Sequence, residues 1–73
     1  MLSDRDTAAT ISQMFLECGK RIDESIALVK ETATPEEFAA YRKAAGRLMG
    51  EMLLGIINPL YLKHPDLKPK ELR

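Results

Sequence analysis

The chain has one cysteine, Cys18, and one histidine, His64, in 73 residues. A single thiol cannot close an internal disulfide, so nothing staples the fold covalently, and a reduced, cytoplasmic setting is expected. A lone histidine between Lys63 and Pro65 does not provide the spaced His/Cys ligands of a zinc site. The acids in "DESI" and "EEFA" have no histidine three residues on, so the Glu-x-x-His pattern of a di-metal bundle is missing too. No metal and no cofactor is expected, and His64 reads as a solvated side chain of a polar tail.

Charge of one sign is also lacking, with eleven acids balancing eleven bases. That argues against a dedicated nucleic-acid binder, which usually carries a basic excess. Long hydrophobic runs are missing. The greasiest stretch, "EMLLGIINPLYL", has only "MLLGII" (Met52 to Ile57) uninterrupted, whereas a membrane-spanning helix needs about 20 mostly apolar residues. The opening "MLSDRDTAAT" has neither a basic n-region nor an apolar h-region, so neither a secretory signal nor a membrane anchor is expected.

What is present is globular: 45% apolar and 30% charged residues, outside the disordered range. A chain this short buries only about 60% of the surface its unfolded form exposes. Small unstapled domains commonly gain their missing stability by oligomerising.

Two helices and a turn follow from the punctuation. In "ETATPEEF", Thr34, Pro35 and Glu37 make an N-cap, a first-turn proline and the third position of a capping box. Ser3 with Asp6 is a weaker start for an earlier helix. Apolar or small residues recur at three- and four-residue spacing through Ala8, Ile11, Phe15, Cys18, Ile22, Ile26 and Val29, then through Phe38, Tyr41, Ala45, Leu48, Met52 and Gly55 or Ile56, a helical period. The pattern predicts helix over about 3–31, a turn at 32–34, helix over about 35–58 and an extended tail over 63–73. Pro59 either ends the second helix or kinks it, the kink being favoured, with an extension to 62. Glu17–Arg21, Lys20–Glu24 and Arg47–Glu51 have the i,i+4 spacing of surface ion pairs.

Folded as an antiparallel hairpin, the two seams match: Val29 faces Phe38, Ile26 Tyr41, Ile22 Ala45, Phe15 Met52, Ile11 Ile56 and Ala8 Pro59, with Cys18 beside Leu48 and Met49 as a small buried hydrophobe. A surplus remains. Met49, Leu53, Leu54, Ile57, Leu60 and Tyr61 lie off that seam or overhang its end, and they are the candidate dimer interface. Gly46 and Gly50, four apart, with Gly19 near Leu48, suggest a close helix crossing at mid-hairpin. Met14, Met49 and Met52 could add an adaptable surface for a protein partner.

The expected fold is all-α: a single helical-hairpin domain with a short kinked C-terminal segment, dimerising into a four-helix bundle, since closed C2 dimers are the commonest soluble oligomers. Its outline resembles that of the small RNA-binding hairpin dimers that regulate plasmid copy number, a likeness of architecture that transfers no function. The function expected is that of a non-enzymatic homodimeric interaction or regulatory module. A second reading has Arg42, Lys43 and Arg47, joined by Lys63, Lys68, Lys70 and Arg73 of the tail, touching nucleic-acid phosphate. Catalysis has no visible pair of groups: Glu51 stands alone among apolar neighbours, and a general acid would need a second group and a cleft.

Overall fold

The computed structural model describes residues 1–69, and these contain helices and turns but no strand. Helix α1 spans Arg5–Thr32, and helix α2 spans Pro35–Met52. Both begin where a side chain satisfies the free N–H groups of a first turn. For α2 the capping box is complete: the Glu37 N–H donates to Thr34 Oγ1 at 3.2 Å, and the Thr34 N–H donates to Glu37 Oε1 at 2.9 Å. For α1 the cap is Asp4 and not Ser3. Its carboxylate accepts from both the N–H and the hydroxyl of Thr7, at 2.8 and 2.7 Å. These two bonds hold the Asp4 carboxyl below its usual pKa. The chain reverses between the helices through Ala33 and Thr34 alone, so α1 and α2 lie side by side as an antiparallel pair.

After Met52 the chain does not stop, and it does not continue as a regular α-helix. Leu53–Ile57 form a π-helical turn, closed by the Asn58 N–H on the Leu53 carbonyl, and helix α3 follows over Asn58–Lys63. Pro59 explains the irregularity. It has no N–H to give the carbonyl four residues back, and its ring would collide with that carbonyl in a regular α-turn. Widening the preceding turn by one residue relieves both problems while the helical direction is kept.

That extra residue changes which side chains face α1. Counted along a straight helix, the seam position level with Ala8 falls on Pro59. With one residue inserted it moves to Leu60, and Ala8, Leu60 and Tyr61 form the main buried cluster, with Ile11, Ile57 and Leu67 packed against it. Leu60 and Tyr61 were expected to overhang the hairpin. They are instead its core, 1% and 7% exposed. The Tyr61 hydroxyl lies 2.9 Å from that of Ser12, a buried hydrogen bond that satisfies both polar groups and makes their burial tolerable.

Near the turn the expected register holds more closely. The Tyr41 hydroxyl sits 2.7 Å from Ser25 Oγ, one residue from the expected partner Ile26. Because Ser25 gives its own proton to the Ile22 carbonyl, Tyr41 is the donor in that pair. Midway, two seam assignments fail. Leu48 and Met49 flank the Ala45 position on opposite sides, and the helix crossing turns Met49 inward and leaves Leu48 half exposed. On α1 it is Gly19 that follows Phe15 on the inward line, and Cys18 is exposed.

The described part of the tail, up to Pro69, folds back instead of extending. Pro65–Leu67 make a 3-10 turn, Arg5 bonds and ion-pairs with Asp66, and buried His64 donates from Nε2 to the Leu2 carbonyl at 2.7 Å. Leu2 adopts the left-handed conformation, φ 57°. His64 is therefore a fixed member of an end clasp and not a solvated side chain. Arg5 also holds the Asp66 carboxyl below its usual pKa, chiefly through the hydrogen bond. Lys70 and Arg73, named above among the basic tail residues, lie outside the described residues.

Candidate interaction surface

A 73-residue chain that closed on itself would be compact, with a radius of gyration of about 11 Å. This one measures 14.5 Å, in a body 44 × 21 × 16 Å. The shape is that of one layer of paired helices, and a layer with helices on one side only cannot enclose a large core. Among the described residues four apolar ones are buried, and of their large side chains only Leu60 is completely so. Against that small core stand Met14, Leu28, Leu48, Leu53, Leu54 and Leu62, all exposed, Leu54 at 71%. Burying a side chain of that size is worth about 1.5–3 kcal/mol.

The sequence-derived interface residues therefore divide. Met49, Leu53 and Ile57 line one wall of an open groove of about 720 Å³ whose other wall is Phe15, Leu16 and Gly19 of α1. Leu54 lies around the helix, beside Arg47 and Glu51 in a shallower depression. Leu60 and Tyr61 belong to the hairpin's own core. Phe15 and Met52, expected to pack on one another, both border the groove, and Phe15 stays half-buried beside it.

Two glycines are the reason for that emptiness. Gly19 and Gly50 both line the groove, from opposite helices. Neither is there to admit a neighbour from its own chain: a Cβ at Gly19, Gly46, Gly50 or Gly55 would meet no atom within 4 Å. The close crossing of Gly19 on Leu48 expected from the sequence does not form. Each helical glycine costs about 1 kcal/mol relative to alanine, and no contact inside the hairpin offsets it. The rim carries both signs of charge, Lys20 against Asp23 and Glu24. Of the expected i,i+4 pairs on α1 none is present; Arg21 instead reaches Glu24, at 3.7 Å.

The basic candidates sit elsewhere. Arg42 and Lys43 border a depression floored by Ile26, Phe38 and Gly46, and Arg47 borders the one containing Leu54. All three are exposed. Among the described residues none is within 4.0 Å of a carboxylate, so the Arg47–Glu51 pair is not formed. Also among the described residues, no three His, Cys, Asp or Glu side chains gather as a metal site would require, and no helix is long and apolar enough to cross a membrane. Comparison with family models, with curated proteins and with solved structures gave no match.

From the sequence, Leu53 and Ile57 are identifiable as surplus apolar positions. The α1 wall is not, because Phe15 and Gly19 carry the same spacing as residues of a closed seam. The available signal was the glycines themselves, two in mid-helix with no turn to make.

Proposed function

We propose that this chain is a non-enzymatic helical interaction module that works as a homodimer. The observation that carries this reading is the imbalance between one completely buried large side chain among the described residues and the exposed Met14, Leu28, Leu48, Leu53 and Leu54 of α1, α2 and the π-helical turn. An elongated hairpin of this kind gains by covering part of that apolar surface with a second helical layer, and two-fold pairing is the commonest way for one sequence to supply it. Its role would then be regulatory or architectural, through what the paired hairpins present to other molecules, in a reduced, cytoplasmic setting.

Sedimentation equilibrium over a wide concentration range tests the reading. A mass of two chains at micromolar concentration is the expected result, and a single-chain mass throughout would refute it. A second reading draws on the exposure of Arg42, Lys43 and Arg47, free of carboxylates among the described residues. They would contact phosphates of a nucleic acid, with binding that falls steeply as salt rises. Retention of RNA or duplex DNA at low salt, lost when the three are changed to alanine, would favour that function over the first.

A further inference from the structure

We propose that the groove between Phe15 and Leu53 is the seat of a second copy of this chain, whose own Leu53 ridge enters over Gly19 and Gly50. The proposal rests on the homodimer reading above and adds to it the surface and the close-approach points.

Three observations converge on this occupant. The first is the glycine pair. A seam position one turn after Phe15 would ordinarily hold an apolar side chain, and so would the α2 position next to Met49. Glycine at both leaves a gap of about 720 Å³ with Phe15, Leu16, Met49 and Met52 around it. Because, apart from its chain neighbours and its own helical backbone, no atom lies within 4 Å of where either Cβ would be, the space is free to take side chains from outside, and glycine on a helix lets another backbone approach closely.

The second observation is area. The chain exposes 5528 Å², against about 4,500 Å² for a compact monomer of this mass. The excess is about 1,000 Å². It accommodates the about 800 Å² that each partner of a standard interface buries.

Self-complementarity is the third. A two-fold interface must carry its own donor and acceptor features on one patch. Here Leu53, still 45% exposed, borders the same groove that would receive it. On the rim, Lys20 of one copy can meet Asp23 or Glu24 of the other, and reciprocally. The one part of the chain outside the described residues, Lys70 to Arg73, brings a single apolar side chain, Leu72, and is too polar to fill the groove.

The test substitutes leucine at each glycine. Gly19→Leu and Gly50→Leu fill the groove from within, in space that is open, so the helicity and melting of the dilute hairpin should be kept or improved. Their dimer dissociation constants should rise at least tenfold in sedimentation equilibrium. Gly46→Leu is the control, since Gly46 is also helical with open space above it but borders the separate depression beside Arg42; its dissociation constant should stay at the parental value. A second measurement uses the native thiol. Cys18 is exposed next to Gly19, so a short bifunctional maleimide should join two copies of the parent, and much less so of Gly50→Leu. A dimeric parent whose Gly19→Leu and Gly50→Leu variants keep its dissociation constant overturns the groove while leaving the homodimer reading standing. A parent that remains monomeric overturns both.

Discussion

Leu60 and Leu62 are two residues apart in "NPLYLK", and nothing in their local sequence separates them. The structure places Leu60 at 1% exposure against Ala8 and Leu62 at 83%. Leu60→Ala removes the one large side chain among the described residues that is completely buried, and such truncations cost about 2–5 kcal/mol. A domain of this length has roughly 4–11 kcal/mol in total at about 0.05–0.15 kcal/mol per residue. The substitution therefore takes about a fifth of the stability at the least, and up to all of it. At about 4–8 °C per kcal/mol, the melting temperature should fall by about 8–40 °C. Leu62→Ala loses almost no packing and retains helix propensity, so its stability should stay within about 0.5 kcal/mol of the parent. Circular dichroism melting of both variants at low protein concentration, where association contributes least, reads the difference directly. Equal shifts for the two leucines, or a larger shift for Leu62→Ala, would refute the register change that the π-helical turn introduces.

Three further outcomes are expected. Tyr61→Phe should cost about 0.5–1.5 kcal/mol, the net value of a hydrogen bond, and a double-mutant cycle with Ser12→Ala should show coupling between them; independent effects in denaturant titrations would mean the bond contributes nothing. Thr34→Ala should cost about 1 kcal/mol, because it opens the capping box that starts α2, and an unchanged chemical-denaturation midpoint would contradict that. Stability should also fall in acid: the Asp4 and Asp66 carboxyls have pKa values lowered in the folded chain, so the unfolded chain takes up protons first as the pH drops. Their contribution is present above the ordinary carboxylate range, about pH 4, and is lost as pH falls through the lower folded-state values. Melting profiles from pH 2 to 7, a range of about five units around those carboxyls, should be flatter for Asp66→Asn than for the parent; identical profiles would show that the Arg5–Asp66 clasp does not stabilise the fold.

Features that depend on near neighbours along the chain are legible without the fold. Thr34, Pro35 and Glu37 are within one turn of each other, so the start of α2 and the place of reversal are local chemistry. The three- and four-residue spacing of apolar positions was enough to make two helices that pair antiparallel, and the surplus at Met49, Leu53 and Ile57 marked one wall of the groove. Tertiary structure decided whatever depended on rotation about a helix axis or on contacts between distant residues. Pro59 announced an irregularity, but whether the chain would end, bend or widen depended on what α1 offered at that level. The π-helical turn, by moving the inward position from Pro59 to Leu60, took Leu60 and Tyr61 out of the expected interface and into the core. The way the helices face each other put Gly19 where Cys18 was expected and Met49 where Leu48 was expected. His64 and Asp66 are far from Leu2 and Arg5 in sequence, so only the return of the chain at the far end of the hairpin could convert a polar tail into a clasp. Local spacing fixes which residues share a side of a helix, but the direction in which that side points is a property of the pair.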